Sequence, residues 1–342
     1  MATQDMKCEC FACNVPSLDT LRIEKVNGKT GSDFSIPESL KSLVDIETST
    51  QQSKIIIKDN AVLEKPLQIV NIHTEDNETK TCTEIVLGKN AQATLLYCDD
   101  SLPKGESKVE HNINVVLNSY SKFSFYKLEN VNNNTSIASD LTFDLFDNSM
   151  LSTYFITLNG GRLNNSILVN FVSEYAEADI NGLYLMDKEQ SVETQVKVFH
   201  KSNNCKSTQL FKGILDDEAK ANFLGHVLVD YNAKNNIAMQ TNNNILLTDK
   251  AKVNTRPVLE IYNDDVQCSH GATTGQLDEN ALYYLRSRGI GERTAKMLLL
   301  TAFCHSVLKK CNVESLRDGL SSMVEKRLNG DLSYDNPYKI TL

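Results

Sequence analysis

The chain of 342 residues is 41% hydrophobic and 23% charged, with a formal net charge of −9, the make-up of an ordinary globular protein long enough to bury a sizeable core. The acidic balance argues against a chain whose main task is coating nucleic acid, and no run of about 18 apolar residues offers a membrane span. Nine cysteines, with no apolar secretory leader ahead of them, predict reduced thiols in a cytoplasmic protein rather than a disulfide framework.

Residues 1–50 read as a short N-terminal extension. Cys8, Cys10 and Cys13 form a C-x-C-x-x-C set, but three thiols fall one short of a structural zinc site, and their polar surroundings predict a loosely packed terminus. From residue 51 the texture changes. Short apolar-rich runs recur at 54–57, 66–70, 83–87, 93–97, 112–117, 122–126, 141–145, 154–158, 167–171, 181–185, 193–198, 225–229, 245–247 and 257–261. Their length, alternation and β-branched or aromatic content predict strands.

No helix-length period of 3.6 separates these runs, which excludes βαβ units and leaves a sandwich, a barrel or a β-solenoid. Asn is frequent at the turns; it tolerates left-handed corners, and its side chain stacks along a ladder. Tight hairpin signals are scarce, Asn159-Gly160-Gly161 being the main one. The pattern therefore predicts a mainly β protein with a parallel β-helix core over 51–265.

Helical spacing begins after His270, so a C-terminal helical domain is expected over 266–342. Asp278 or Thr274 caps a first helix reaching about residue 288, with Leu282 and Leu285 inward and Gly289 at its C-terminal end. A second runs from about 292 to 310 with Ala295, Leu298, Leu299, Ala302 and Phe303 at core spacing. Asn312 opens a third, ending near Asn329-Gly330.

The chemistry-bearing pair lies at the junction of the strands and helices. If 268–270 is extended, Cys268 and His270 face the same side, and a thiolate with an imidazole suits iron, zinc or an iron–sulfur cluster. Two ligands do not close a site; the bland alternative is a buried thiol beside a turn histidine. Glu260, on the strand leading in, offers a hard oxygen donor or a partner orienting the ligands. His200 and Cys205 flank Asn203-Asn204 in HKSNNC, a spacing that fits a turn as well as a ligand pair. Asp216-Asp217 and Asp264-Asp265 read as solvated acidic turns. A carbohydrate-active solenoid would need paired carboxylates across a groove, and only these turn pairs are on offer. No P-loop, dinucleotide fingerprint or nucleophile elbow is present, so no enzyme activity is expected.

The run CSHGATTGQLDENALYYLRSRGI, with HKSNNCKSTQLFKGILDDEAKANFLGHVLV upstream of it, resembles the SufB/SufD family of the SUF iron–sulfur cluster assembly machinery. The resemblance is strong over 192–308 and weaker over 63–190. The B-type usually reads C-E-H-E-A at the motif; Ser269 and Gly271 stand in place of those two Glu, so the D-type, SufD, is favoured. The resemblance implies a right-handed parallel β-helix with C-terminal helices. It implies a scaffold subunit of a SufBCD complex that pairs with a SufB-like subunit and binds a SufC-like ABC ATPase. It further implies that His270, with Cys268, lies where the two solenoid subunits meet and serves iron entry or nascent cluster assembly. A lone pair of ligands implies no metal stably bound by the isolated chain, only transient iron or an iron–sulfur cluster in the complex. Arg286, Arg288 and Arg293 are expected near the ATPase-binding surface. Members usually carry a longer N-terminal helical region than residues 1–50 provide.

One rival comes from the residues themselves. Gly289-Ile290-Gly291-Glu292-Arg293-Thr294-Ala295 between two apolar helices resembles a helix-hairpin-helix that grips DNA phosphates, and 282–310 carries six Lys/Arg against one Glu. The chain's net negative charge works against phosphate-driven affinity, so nucleic acid is the weaker expectation.

Overall fold

The structure, a computed structural model, describes residues 21–330 apart from 32–34, 75 and 103; Cys8, Cys10 and Cys13 lie outside the described residues. The chain opens with β1 (Arg22–Val26), β2 (Lys29–Thr30), α1 (Glu38–Lys41) and β3 (Val44–Thr48). A long strand series follows: β4 (Gln52–Ile57), β5 (Leu67–His73), β6 (Asn77–Leu87), β7 (Gln92–Ser101), β8 (Ser107–Leu117), β9 (Lys122–Asn130), β10 (Ser136–Leu145) and β11 (Met150–Asn159). It continues through β12 (Arg162–Phe171), β13 (Glu177–Met186), β14 (Ser191–His200), β15 (Lys206–Leu215), β16 (Lys220–Val229), β17 (Asn236–Leu246), β18 (Lys252–Ile261) and β19 (Val266–Gly275). Helices α2 (Glu279–Ser287), α3 (Glu292–Leu308) and α4 (Glu314–Leu328) complete the described chain.

Even-numbered strands from β4 to β18 stack in one sheet and odd-numbered strands from β5 to β19 in the other, so the chain climbs through eight coils of a parallel β-solenoid. Only β1 with β2 and β3 with β4 pair antiparallel among the described strands. These short pieces, with Leu40 and Leu43 packed on the core, close the N-terminal end. The corners are left-handed, at Asn60, Asn90, Asn148, Asn204 and Asn235 among others. The ladder expected of Asn is present: Asn90 Nδ2 donates to Asn60 Oδ1 at 2.9 Å, and Asn235 Nδ2 to Asn204 Oδ1 at 2.7 Å. An exposed corner satisfied by its neighbour's identical corner is how a solenoid repeats without a regular sequence repeat.

Alternating residues fill the interior, where Ile57, Leu87, Leu117, Phe125, Phe143, Phe171, Phe211 and Phe223 form one buried cluster. The outer face of the odd-numbered sheet is also covered. Leu300, Cys304, Val307 and Leu308 of α3 and Leu316, Leu320, Met323 and Val324 of α4 pack there with Tyr126, Leu128, Tyr154, Ile156 and Leu183. Polar clamps fix the helices: Tyr154 Oη donates to the Lys310 carbonyl, Lys310 Nζ lies 2.9 Å from Asp179, and Arg327 donates to the Leu158 carbonyl at 2.7 Å while pairing with Asp187 at 2.8 Å.

Three expectations need correction. The solenoid continues through Gly275, since β19 pairs with β17 along its whole length, and the helices lie against its flank. Asn159-Gly160-Gly161 is no hairpin, because β11 and β12 belong to different sheets; a Cβ on Gly161 would lie 2.1 Å from the Asn133 carbonyl oxygen of the coil below, so the glycine permits close stacking. The helix phase is also different. Leu298 is 49% exposed, Leu282, Leu285, Leu299 and Phe303 are half-buried, and Ala302 is exposed. A helix that is apolar almost all round, as 297–304 is, does not encode which stripe faces inward. The ends of α2 are as expected, since Asp278 caps it by accepting from the Asn280 and Ala281 amides and Gly289 has φ +85°; α4, by contrast, is entered at Val313 with no side-chain cap rather than at Asn312.

Candidate functional site

Val266 and Cys268 of β19 pack against the interior cluster, so strand alternation also turns His270 inward. Cys268 sits beside Ala238 in the coil below and His270 beside Gln240. His270 is nevertheless exposed, because β18 and β19 are the last strands of their sheets and no described element stacks above them. One end of the solenoid is capped; this end presents ten-residue edge strands on which no further described strand pairs, the kind of edge that pairs with another chain.

Below His270 runs a polar row. Gln209 pairs in register with Gln240, and Gln240 with His270. Both Gln are 2% exposed, and neither amide has a hydrogen-bond partner among the described residues. Gln240 reaches across the interior to the opposite sheet, where a Cβ on Gly225 would lie 1.5 Å from its Nε2. Burial raises the Cys268 thiol pKa above its usual value, so in the isolated chain it is a packed thiol rather than a ready thiolate.

The other sequence candidates separate. Leu259 packs on the interior, so Glu260 points outward, away from the His270 face, and pairs with His226 at 3.3 Å. His200 and Cys205 do come together, but structurally. His200 is buried, 2.9 Å from Ser207 Oγ and 3.3 Å from Asn236 Oδ1, which also accepts from the Cys205 amide at 2.8 Å. Burial lowers the His200 pKa to about 4 and raises that of Cys205 to about 11. Asp216-Asp217 is a left-handed corner, whose Asp217 carboxylate accepts from the Lys188 amide at 3.1 Å.

Arg286, Arg288 and Arg293 are exposed on the α2–α3 hairpin, beside Tyr283, Tyr284 and Leu298, 75%, 57% and 49% exposed. Arg288 stacks over the Tyr284 ring at 5.2 Å. Glu292, in the first turn of α3, is paired with Lys296 at 2.9 Å and Arg286 at 3.6 Å. An acid thus stands where a helix-hairpin-helix would seat a phosphate.

A second polar cluster, which the sequence did not announce, lies inside the solenoid near its capped end. His73 Nε2 and His111 Nε2 lie 3.3 and 2.8 Å from the same oxygen, Oδ1 of Asp99, all three residues buried. Asp99 Oδ2 faces Lys127 Nζ at 3.5 Å, and Lys127 is tightly paired with Glu129. Burial would push the Asp99 carboxyl up, but His111 and Lys127 outweigh it and hold it well below the usual range. Burial lowers the His111 pKa against the pull of Asp99, with Lys127 and His73 adding to the fall. Glu129 and Asp99 overcome burial to keep Lys127 charged. A histidine in the mostly apolar inward row of β8 was the one sequence signal; its partners come from strands about 12 to 40 positions away.

Comparison with known proteins agrees with the family resemblance read from the sequence. A family model described as the SufBD core domain of SUF system FeS cluster assembly matches residues 70–303. The chain is 28% identical to the iron-sulfur cluster assembly protein SufD of Escherichia coli, over 92% of this chain and 81% of that protein. It is 22% identical to SufD of Bacillus subtilis over 80% of this chain and 63% of that protein. It is 34% identical to a SufBD family protein of Mycobacterium leprae over 51% of this chain and 46% of that protein. Among the described residues no helix is long and apolar enough to cross a membrane.

Proposed function

Because the chain belongs to the SufBD core family of SUF iron–sulfur cluster assembly proteins, we propose that it is a non-catalytic scaffold subunit of a SufBCD-type complex, with the uncapped solenoid end as its working surface. The observation that carries this reading is the inward-facing His270–Cys268 pair on an edge strand above which no described element stacks. A SufB-like subunit adding its own strands to β18 and β19 would satisfy the open backbone groups and bring the missing ligands to iron or a nascent cluster, which is cargo here. The pair alone does not hold an ion stably, since at least two more ligands are needed. His270, an exposed imidazole and a good ligand for Fe²⁺, is suited to passing iron across the seam.

The exposed tyrosines, Leu298 and the three arginines of the α2–α3 hairpin form the face we assign to a SufC-like ABC ATPase. Tyr and Arg are the residue types that anchor interfaces. Closure of the ATPase would pull on helices clamped to the odd-numbered sheet through Lys310 and Arg327, and so move the solenoid that carries His270.

Reconstitution of the complex with His270→Ala tests the reading. Cluster yield is expected to drop sharply, while complex assembly, ATP hydrolysis and the melting temperature of the isolated chain stay near wild type. A normal cluster yield removes His270 from the mechanism. Cys268→Ala separates ligand from packing: a loss as deep as that of His270→Ala marks the thiol as a ligand.

A further inference from the structure

We propose that His73, Asp99 and His111 form a buried binding site for one divalent first-row metal ion, at the opposite end of the solenoid from His270. His73 Nε2, His111 Nε2 and Asp99 Oδ1 lie within 4.8 Å of one another, converging from β5, β7 and β8. Two imidazoles and one carboxylate are a donor set for Zn²⁺, Co²⁺ or Fe²⁺. In the metal-free arrangement two ring N–H groups point at one carboxylate oxygen; a single cation replaces both protons, each moving to Nδ1 of its own ring.

The surroundings of His111 fit that exchange, while His73 Nδ1 is buried with no hydrogen-bond partner among the described residues. His111 Nδ1 lies 2.7 Å from Thr81 Oγ1 and 3.0 Å from Tyr97 Oη, either of which accepts the Nδ1 proton and fixes the ring, as partners of metal-bound histidines do. Asn71 is next to Asp99 in the sheet register, and its side-chain oxygen is buried without a hydrogen-bond partner among the described residues, a neutral oxygen donor on the same interior row. Lys127 does not block the site, because Glu129 holds it, and Glu129 is in turn held by Thr157 and Asn165 at 2.7 and 3.1 Å. Two carboxylates, Asp99 and Glu129, share one ammonium, Lys127, in this buried interior, an arrangement that a bound cation would help to balance. The expectation that the isolated chain holds no metal came from the Cys268–His270 pair and applies to the open end alone.

The test uses the full chain carrying His270→Ala with Cys8, Cys10 and Cys13 changed to Ser, so that other candidate ligands do not compete. The protein is unfolded in chelator and refolded with Co²⁺, since a buried site loads during folding. The expected result is one Co²⁺ per chain by native mass spectrometry, a d–d absorption band without thiolate charge transfer, and a raised melting temperature. Asp99→Asn and His73→Gln should each weaken Co²⁺ binding at least tenfold while circular dichroism stays unchanged. If those variants fail to fold, a cobalt anomalous-difference peak between the three side chains in crystals of the parent chain supports the site. No stoichiometric Co²⁺, a peak elsewhere, or full binding in folded Asp99→Asn overturns it and leaves the cluster an internal ion network.

Discussion

His200 gives the sharpest test of how the interior is built. It closes β14 facing inward, fully buried, with its ring stacked on Phe171 at a centroid distance of 4.4 Å. Burial lowers its pKa from 6.5 to about 4, against a small opposing pull from Asn236. The unfolded chain therefore binds a proton that the folded chain refuses between these values. The stabilisation is fully present above about pH 6.5 and is lost as pH falls toward 4. At 1.36 kcal/mol per pKa unit, the loss is about 1 kcal/mol by pH 5.5 and about 3 kcal/mol at pH 4. His200→Gln removes the titration while keeping an amide near Ser207 and Asn236. Urea unfolding of both proteins from pH 7.5 to 4.5, with equal m-values as the check on two-state behaviour, isolates His200 from Asp99 and the other groups. The stability gap should shift by 2 to 3 kcal/mol in favour of the variant across about two pH units below 6.5. Parallel curves would mean that His200 titrates normally and that the solenoid interior admits water there.

Leu316→Ala in α4, at a fully buried position against the outer face of the odd-numbered sheet, should cost about 2–5 kcal/mol in denaturant unfolding; a loss under about 1 kcal/mol would mean that α4 is not docked. Gly161→Ala forces a methyl onto the Asn133 carbonyl and should cost about 1–3 kcal/mol, so a variant of unchanged stability would contradict the close stacking of these corners. Tyr283→Ala combined with Leu298→Glu changes exposed positions only and should leave the melting temperature nearly unchanged while weakening ATPase binding at least tenfold; undiminished affinity would move that interface elsewhere. The reconstituted His270→Ala complex, with cluster yield as its readout, completes the set.

What was local in the sequence was legible. Alternation marked fourteen strands and Asn marked the corners, because a left-handed residue and an inward side chain are decided within a few positions. Asp278 and Gly289 marked the ends of α2 for the same reason, and Cys268 and His270 were read as facing one way because strand alternation needs only two residues. Strand lengths were underestimated, and β15 was missed, because polar inward residues such as Ser207 and Gln209 break the apolar alternation. The phase of α3 was hidden by its all-round apolar sequence; the outer face of the odd-numbered sheet decides it. Only coil-on-coil register put His73, Asp99 and His111 around one point, since three residues on three strands converge by stacking and no spacing between them encodes it. The openness of the last coil is likewise tertiary: β19 has the composition of any edge or inner strand, and it is the absence of a described coil above it that turns an inward histidine into an exposed one.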